Sequence, residues 1–420
     1  MPNKATLDHA GDRCTMTTSD PSNDSAGAMA GIRVLDLSRV LAGPWCTQSF
    51  ADMGAEILKI ESPGPGDETR SWSPPNMGGH AAYFTCANRG KASLVLDLKM
   101  PADRDRLLQA VAACDVMVEN FRAGSLERLG LGPEVLFEAN PALILCSISG
   151  YGRTGPEKDR AGYDFVIQGE SGLMAVTGEE DGPPTKVGVA VSDLFTGLYA
   201  SQAVLGALLA RQRSRQGIHI DVSMFDCQIA AMANVAANAL ATGTPAGRYG
   251  NGHPNVVPYR VFDAADKPFV LAIGNDQQFG RLCREVIGQP DIAVDPRFLT
   301  NDARSRNRDA LNGLLAEVFR EQSADTWMDA LDRAKIPAGR INNVTEALTS
   351  DQARARDLVR TFDTPDGDIR VVRHPVVAPG LFANVIPPPA PGEGGEALLK
   401  AWGVASDLSD REGAKSGVKP

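Results

Sequence analysis

Within residues 187–199, VGVAVSDLFTGLY, a single carboxylate interrupts an apolar run, so that Asp193 closes one hydrophobic stretch and opens another. A carboxylate in such a setting is solvated, capping or reactive, because burying an unpaired charge is costly. The spacing predicts a short strand over 187–191. It then predicts a helix on which Leu194, Leu198, Leu205 and Leu208, with the small Ser201, share one face. Ser192 or Asp193 would be the N-cap, where the free N–H groups and the macrodipole would hold the Asp193 carboxylate ionised at neutral pH. That role is complete without chemistry, so a reactive role has to be argued from the rest of the chain.

Two glycine-rich stretches also invite a ligand. Gly150-Tyr151-Gly152-Arg153-Thr154-Gly155 follows a predicted strand and spells the dinucleotide fingerprint. It then runs into Pro156, Glu157, Lys158, Asp159 and Arg160, a polar loop where the fingerprint needs a helix N-terminus to receive a pyrophosphate. It reads as a turn. Gly247-Arg248-Tyr249-Gly250-Asn251-Gly252-His253-Pro254 holds three glycines whose backbone could approach a ligand closely or serve as a plain connection. Seven cysteines, at 14, 46, 86, 114, 146, 227 and 283, are scattered without CxxC spacing. That pattern fits a reducing cytoplasm and neither a disulfide framework nor a zinc site, and no metal site is expected.

Positioning these residues falls to an alternation of strands and helices. IRVLDLS, AEILKIES, ASLVLDL, DVMVENF, ALILCSISGYG and IHIDVSM read as strands, with helices between them and a Pro- and Gly-rich excursion over 62–79. Near-continuous apolar strands imply a parallel, doubly wound α/β sheet with ligands at the strands' carboxyl ends. A helix is expected over 225–241 and a hairpin over 259–273, after which the alternation stops. The expected organisation is a disordered leader (1–30), the first part of a large domain (31–222), a linking helix (223–245), a smaller α+β domain (246–330), a linker (331–350), and a return to the large domain with a C-terminal tail (351–420). The 420 residues are 43% apolar, and no run approaches a transmembrane length. A net charge of −10 and a pI near 5.1 argue against nucleic acid or an anionic membrane as partner.

In this order and spacing, the phrases VLDLSRVLAGPWCTQ, ADMGAEILKIESPGPGDETR, YFTCANRGKASLVLDLK, DVMVENFRAGSLERLGL, SISGYGRTGP, GYDFVIQGESGLMAVTG, VSDLFTGLYA and INNV make the chain resemble the class III CoA-transferases. That family includes formyl-CoA transferase, carnitine CoA-transferase and the α-methylacyl-CoA racemases. The resemblance runs from Gly31 to Trp402. From Gly162 to Asn343, notably at VVPYRVF and IGNDQQF, the chain is most similar to succinyl-CoA-dependent dicarboxylate transferases such as succinate–hydroxymethylglutarate CoA-transferase.

The resemblance implies a Rossmann-like large CoA-binding domain, a small domain and an interlocked homodimer. It implies that Asp193 attacks an acyl-CoA thioester, forming a mixed anhydride and then an aspartyl-CoA thioester. CoA thioester and a small carboxylic acid are the substrates, and no prosthetic group is needed. It also implies that Val40, Ala42, Leu96, Lys99, Asn120, Phe121 and Arg128 line the CoA site. Trp72, Tyr83, Tyr163 and Asp164 would form the active-site wall, and Gly250 and Gly252 a lid that shields the anhydride from water. Leu41 stands where formyl-CoA transferase has a glutamine, which argues against formate. For an acceptor's remote carboxylate, Arg70 and Arg248 are the candidate cations, and His253 is a further candidate contact.

Two other readings remain. The racemase branch places a histidine before the position of Asp164, since moving a proton at the α-carbon takes two bases. Here the triplet is Gly162-Tyr163-Asp164, and a tyrosine titrating near pH ~10 is a poor base. A noncatalytic CoA-binding paralogue would have lost the aspartate or the phosphate contacts, and both are present. CoA transfer is therefore the expectation.

Overall fold

The computed structural model describes residues 26–405. Most of the expected leader, with Cys14, and the end of the expected tail lie outside the described residues. Residues 26–30, assigned to that leader, are part of the fold. Met29 is buried in the core, its N–H donates to the Met53 carbonyl, and Ala28 N–H donates to the Leu381 carbonyl.

The strands in chain order are β1 (Arg33–Asp36), β2 (Glu56–Glu61), the short hairpin β3 (Asn76–Met77) and β4 (His80–Ala81), β5 (Lys91–Val95), β6 (Val116–Glu119), β7 (Ile144–Ser149) and β8 (Ile218–Ser223). Six of them form one sheet in the order β5-β2-β1-β6-β7-β8, and every pairing is parallel. Alternate residues feed two cores. Val34, Ile57, Val116 and Ile144 pack with Phe50 of helix Ala42–Asp52 and Val204 of helix Val191–Ser214. Leu35, Leu58, Met117 and Leu145 pack on the other face with Leu107, Leu136 and Leu399, from helices Pro101–Ala113, Pro133–Ala139 and Gly395–Ala401. Covering both faces explains why the strands read as unbroken apolar runs. The strand order reverses between β1 and β6, and the carboxyl ends of those two strands open a crevice there.

A buried ion network fixes the turn that leaves β1. The Asp36 carboxylate accepts from Lys91 Nζ at 2.9 Å and Thr47 Oγ1 at 2.7 Å, while Lys59 Nζ donates to the Ser38 carbonyl at 2.8 Å and pairs with Asp67 at 2.9 Å. Burial pushes Asp36 upward, but the Lys91 and Lys59 ammoniums outweigh it and hold the carboxyl well below the usual range. Within this turn Val40 has φ +68°, a left-handed conformation that a β-branched residue adopts only under constraint.

After β8 the architecture changes. β9 (Tyr259–Asp263) and β10 (Pro268–Ala272) form the expected hairpin, and β11 (Ala338–Arg340) joins them in a three-stranded sheet ordered β11-β10-β9. This sheet has its own core of Phe262, Phe269, Leu271, Phe319 and Trp327. The stretch read as a linker thus supplies a strand. The single helix expected over 225–241 is two, Met224–Ala231 and Ala233–Thr242, because Ala233 takes φ +41°.

Two further expectations change. No strand forms over 187–191, whose backbone finds side-chain partners in place of a neighbouring strand. Helix Val191–Ser214, 24 residues long, is long and apolar enough to cross a membrane by length and composition, contrary to the sequence reading. In this fold it packs against helix Ala42–Asp52 and the sheet, burying Ser192, Thr196, Gly197, Ala200, Ser201 and Val204.

Candidate active site

Helix Val191–Ser214 starts two or three residues earlier than the sequence suggests, so its N-cap is Ala190, which has no side chain able to cap. The cap comes from another helix. Asp164, the first residue of helix Asp164–Glu170, accepts the Ser192 N–H on Oδ1 at 2.8 Å and the Gln168 amide on Oδ2 at 2.7 Å. The Ser192 hydroxyl donates to the Gln228 side-chain oxygen at 2.8 Å.

Asp193 therefore lies inside the first turn, half-buried, and its carboxylate has no hydrogen-bond partner among the described residues. Burial, followed by the negative charge of Asp164, pushes its pKa up to about 7. The expectation of an N-cap held fully ionised by the macrodipole is overturned. Desolvation and a like charge outweigh a helix end whose first N–H groups already have an anion.

Asp193 opens onto a cavity of about 200 Å³ at the sheet's switch point, which Val40, Ala42, Asn120, Phe121 and Tyr163 also line. Asn120 pins the strained turn: its Oδ1 accepts the Arg39 N–H and its Nδ2 donates to the Arg39 carbonyl, each at 2.8 Å. A neighbouring cavity, also about 200 Å³, shares Arg39 and Phe121 with the first and is lined by Leu96 and Lys99. Trp72 and Tyr83 meet edge to face with ring centroids 4.9 Å apart. Burial, and next the charge of Asp193, pushes Tyr83 up to about 12, so this pair stands in the field of the carboxylate. Gly150 and Gly162 also line the Asp193 cavity, where their backbones cross so closely that a Cβ on Gly150 would lie 2.6 Å from the Gly162 Cα. The first glycine of the apparent fingerprint thus brings the Tyr163-Asp164 segment against the sheet.

Other residues fall elsewhere. Arg128 is exposed, donates to Ser125 Oγ at 2.8 Å and lines neither cavity. Gly250 and Gly252 border a separate cavity of about 320 Å³ beside helix Ala233–Thr242. Arg70 is bound to Glu61 through two bonds of 2.8 and 2.6 Å and to the Pro389 carbonyl, so it has no free charge to offer. Arg248 donates to the carbonyls of Ala175, Glu179 and Gly182. The His253 ring accepts the N–H groups of Asn255 and Val256 and packs on Tyr259.

The cations that do line the Asp193 cavity are Arg39, Arg122 and Arg160. Two of them directly flank residues singled out from the sequence, Val40 and Phe121. Arg39 pairs with Glu68 at 2.9 Å and Arg160 with Glu157 and Glu170, whereas Arg122 donates only to the Asp159 carbonyl and has no carboxylate partner among the described residues.

The profile of CoA-transferase family III matches residues 29–396. The chain belongs to CoA-transferase family III. Among its relatives, the succinate–glutarate CoA-transferase of Agrobacterium fabrum is 44% identical over 356 residues, covering 83% of this chain and 89% of that protein. The acetyl-CoA:oxalate CoA-transferase of Acetobacter aceti is 42% identical over 390 residues, covering 92% and 98%. The human succinyl-CoA:glutarate CoA-transferase is 38% identical over 374 residues, covering 89% and 85%. Among solved structures, a CAIB/BAIF family protein from Brucella suis superimposes with a TM-score of 0.79 at 42% identity, over 90% of this chain and 99% of that one. The protein is accordingly a CoA-transferase, with a CoA thioester as substrate.

Proposed function

We propose that this family III enzyme moves CoA from an acyl-CoA donor, succinyl-CoA foremost, to a small di- or hydroxycarboxylic acid by way of covalent Asp193 intermediates. One observation carries the reading: Asp193 is an unpartnered carboxylate, perturbed toward neutrality, at the floor of the crevice where the strand order reverses. Ionised Asp193 attacks the thioester carbonyl, and collapse of the tetrahedral adduct expels CoA thiolate, leaving a mixed anhydride. The thiolate attacks the Asp193 acyl carbon and releases the donor acid, giving an aspartyl-CoA thioester. The acceptor carboxylate displaces CoA in turn, and thiolate attack on the acceptor's acyl carbon delivers the new acyl-CoA and frees Asp193.

Lys99 and the unpaired Arg122 are suited to CoA's phosphates, and the apolar Leu96 and Phe121 to its adenine and pantetheine. Proton exchange at the α-carbon is the weaker reading, since no histidine lines the Asp193 cavity. Relatives named for succinate, glutarate and oxalate support a dicarboxylate acceptor. A homodimer and a cytoplasmic location complete the proposal. The exposed Tyr163 and Phe165 beside the site, 61% and 59% accessible in a single chain, support the dimer.

The test is a donor and acceptor panel, succinyl-CoA or acetyl-CoA with C2 to C6 acids, read by mass spectrometry of the acyl-CoAs formed. Asp193→Ala is expected to abolish exchange while retaining CoA binding, and hydroxylamine is expected to convert Asp193 to the hydroxamate in the native enzyme only when acyl-CoA is present, by displacing CoA thiolate or the donor acid from the covalent intermediate. A fully active Asp193→Ala enzyme would refute the covalent route, and isotope exchange at C2 without thioester exchange would favour the racemase.

A further inference from the structure

Gln168 is fully buried, lies outside the Asp193 cavity and spends its amide in two directions. Its Nε2 donates to Asp164 Oδ2 at 2.7 Å and lies 3.3 Å from the Val189 carbonyl, while its Oε1 accepts the Val187 N–H at 2.9 Å. Asp164 in turn caps the helix through the Ser192 N–H. Residues 187–190 belong to neither a strand nor a helix, so little else fixes the path of the backbone into the helix. One side chain thus ties together the carboxylate that caps the first turn and the segment that feeds it.

We propose that Gln168 is a positioning residue for CoA transfer, clamping Asp164 to the Val187–Val189 segment so that the first helical turn aims the Asp193 carboxylate at the acyl carbon. The inference rests on the aspartyl reading above. A carboxylate with no hydrogen bond of its own takes its direction from the backbone that carries it. Displacing a reacting atom by about 1 Å costs on the order of 10²-fold in rate. Because Gln168 does not reach the cavity, CoA binding is spared.

The experiment compares wild type with Gln168→Leu, which loses all three bonds, and the unbranched Gln168→Met, which loses them too but keeps the length of the side chain. Three quantities are read: kcat, KM for the acyl-CoA, and the single-turnover rate at which hydroxylamine traps acylated Asp193, counted per labelled site. The expected result is a fall of roughly 10- to 100-fold in kcat and trapping rate with KM within about threefold. Gln168→Leu combined with Asp164→Asn should cost no more than the larger single effect, because both break the same Gln168–Asp164 bond. A purely structural role would lower the yield of folded enzyme and leave the trapping rate per labelled site at the wild-type value, which overturns the proposal. Should Gln168→Leu not fold, Gln168→Met decides. If Asp193→Ala still exchanges CoA, the aspartyl reading itself fails. If Asp193→Ala is dead while both Gln168 variants trap at the wild-type rate, this inference alone fails.

Discussion

Asp164 and Asp193 divide two tasks that one residue was expected to perform. Asp164 satisfies the helix end, and Asp193 is left without partners, beside a like charge. Since the nucleophile must be ionised, kcat/KM is expected to fall as pH drops through about 7. Asp164→Asn keeps an acceptor for Ser192 but removes the charge, so it should move that limb to lower pH; a pH–rate profile of both enzymes checks this. The same shift bears on stability. The folded state holds the Asp193 proton more tightly than the unfolded chain, whose carboxyl titrates near the ordinary 3.8, so stability declines as pH rises from that value to about 7. Asp193→Asn is therefore expected to raise the melting temperature at pH 8 by several degrees and to change it little at pH 4, measured by calorimetry. In the proposed cycle, acylating Asp193 removes both its buried charge and its repulsion with Asp164, which favours the covalent states over the resting one. Asp193 itself was legible as an isolated carboxylate in an apolar run. Its cap was not, because the bond comes from a residue 28 positions earlier, and local spacing carries no sign of it. Arg70 misled for the same reason, since Glu61 and the Pro389 carbonyl, 319 residues away, neutralise and hold it.

Among the elements, helix Val191–Ser214 and helix Ala42–Asp52 set the width of the site by how closely they pack. Gly197 makes that approach possible: a Cβ there would lie 2.7 Å from the Ala42 carbonyl and 3.1 Å from the Trp45 ring. Gly197→Ala should push the helices apart, costing about 1–3 kcal/mol by overpacking. It should also lower kcat by moving Asp193 away from the Val40–Ala42 wall; urea unfolding and steady-state kinetics separate the two effects. The inner parallel strands were legible because both faces of the sheet are covered, which makes them near-continuous apolar runs, whereas the edge strand β8, half exposed, was legible from Ile218, Ile220 and Val222 alternating with polar residues. The strand expected over 187–191 was apolar too, but its hydrogen bonds go to Gln168 and no neighbouring strand is there to receive it. The break at Ala233 leaves no mark in a run of small residues, any of which would continue a helix.

At the level of the whole molecule, large apolar residues stay exposed on a single chain along the Asp193 helix and beyond it, among them Leu198, Tyr199, Leu209, Val377 and Ile386. Light scattering on the purified enzyme is expected to give twice the chain mass of 44.5 kDa; a monomer would remove the dimer from the proposal. The return of the C-terminal segment could be inferred only from where the alternation stops, since its bonds are made to residues about 300 positions earlier. Three of those bonds gather at one place. Gly90 N–H donates to the Ile386 carbonyl, Ser93 N–H to the Glu393 carbonyl, and Gly392 N–H to the Ser93 hydroxyl, along β5 at the open margin of the six-stranded sheet. During synthesis, therefore, the ribosome exposes β5 about 300 residues before its covering segment. Until residues 386–394 emerge, the nascent chain carries a bare strand able to pair with another copy, and the returning segment serves as the chain's own protection against that misassembly.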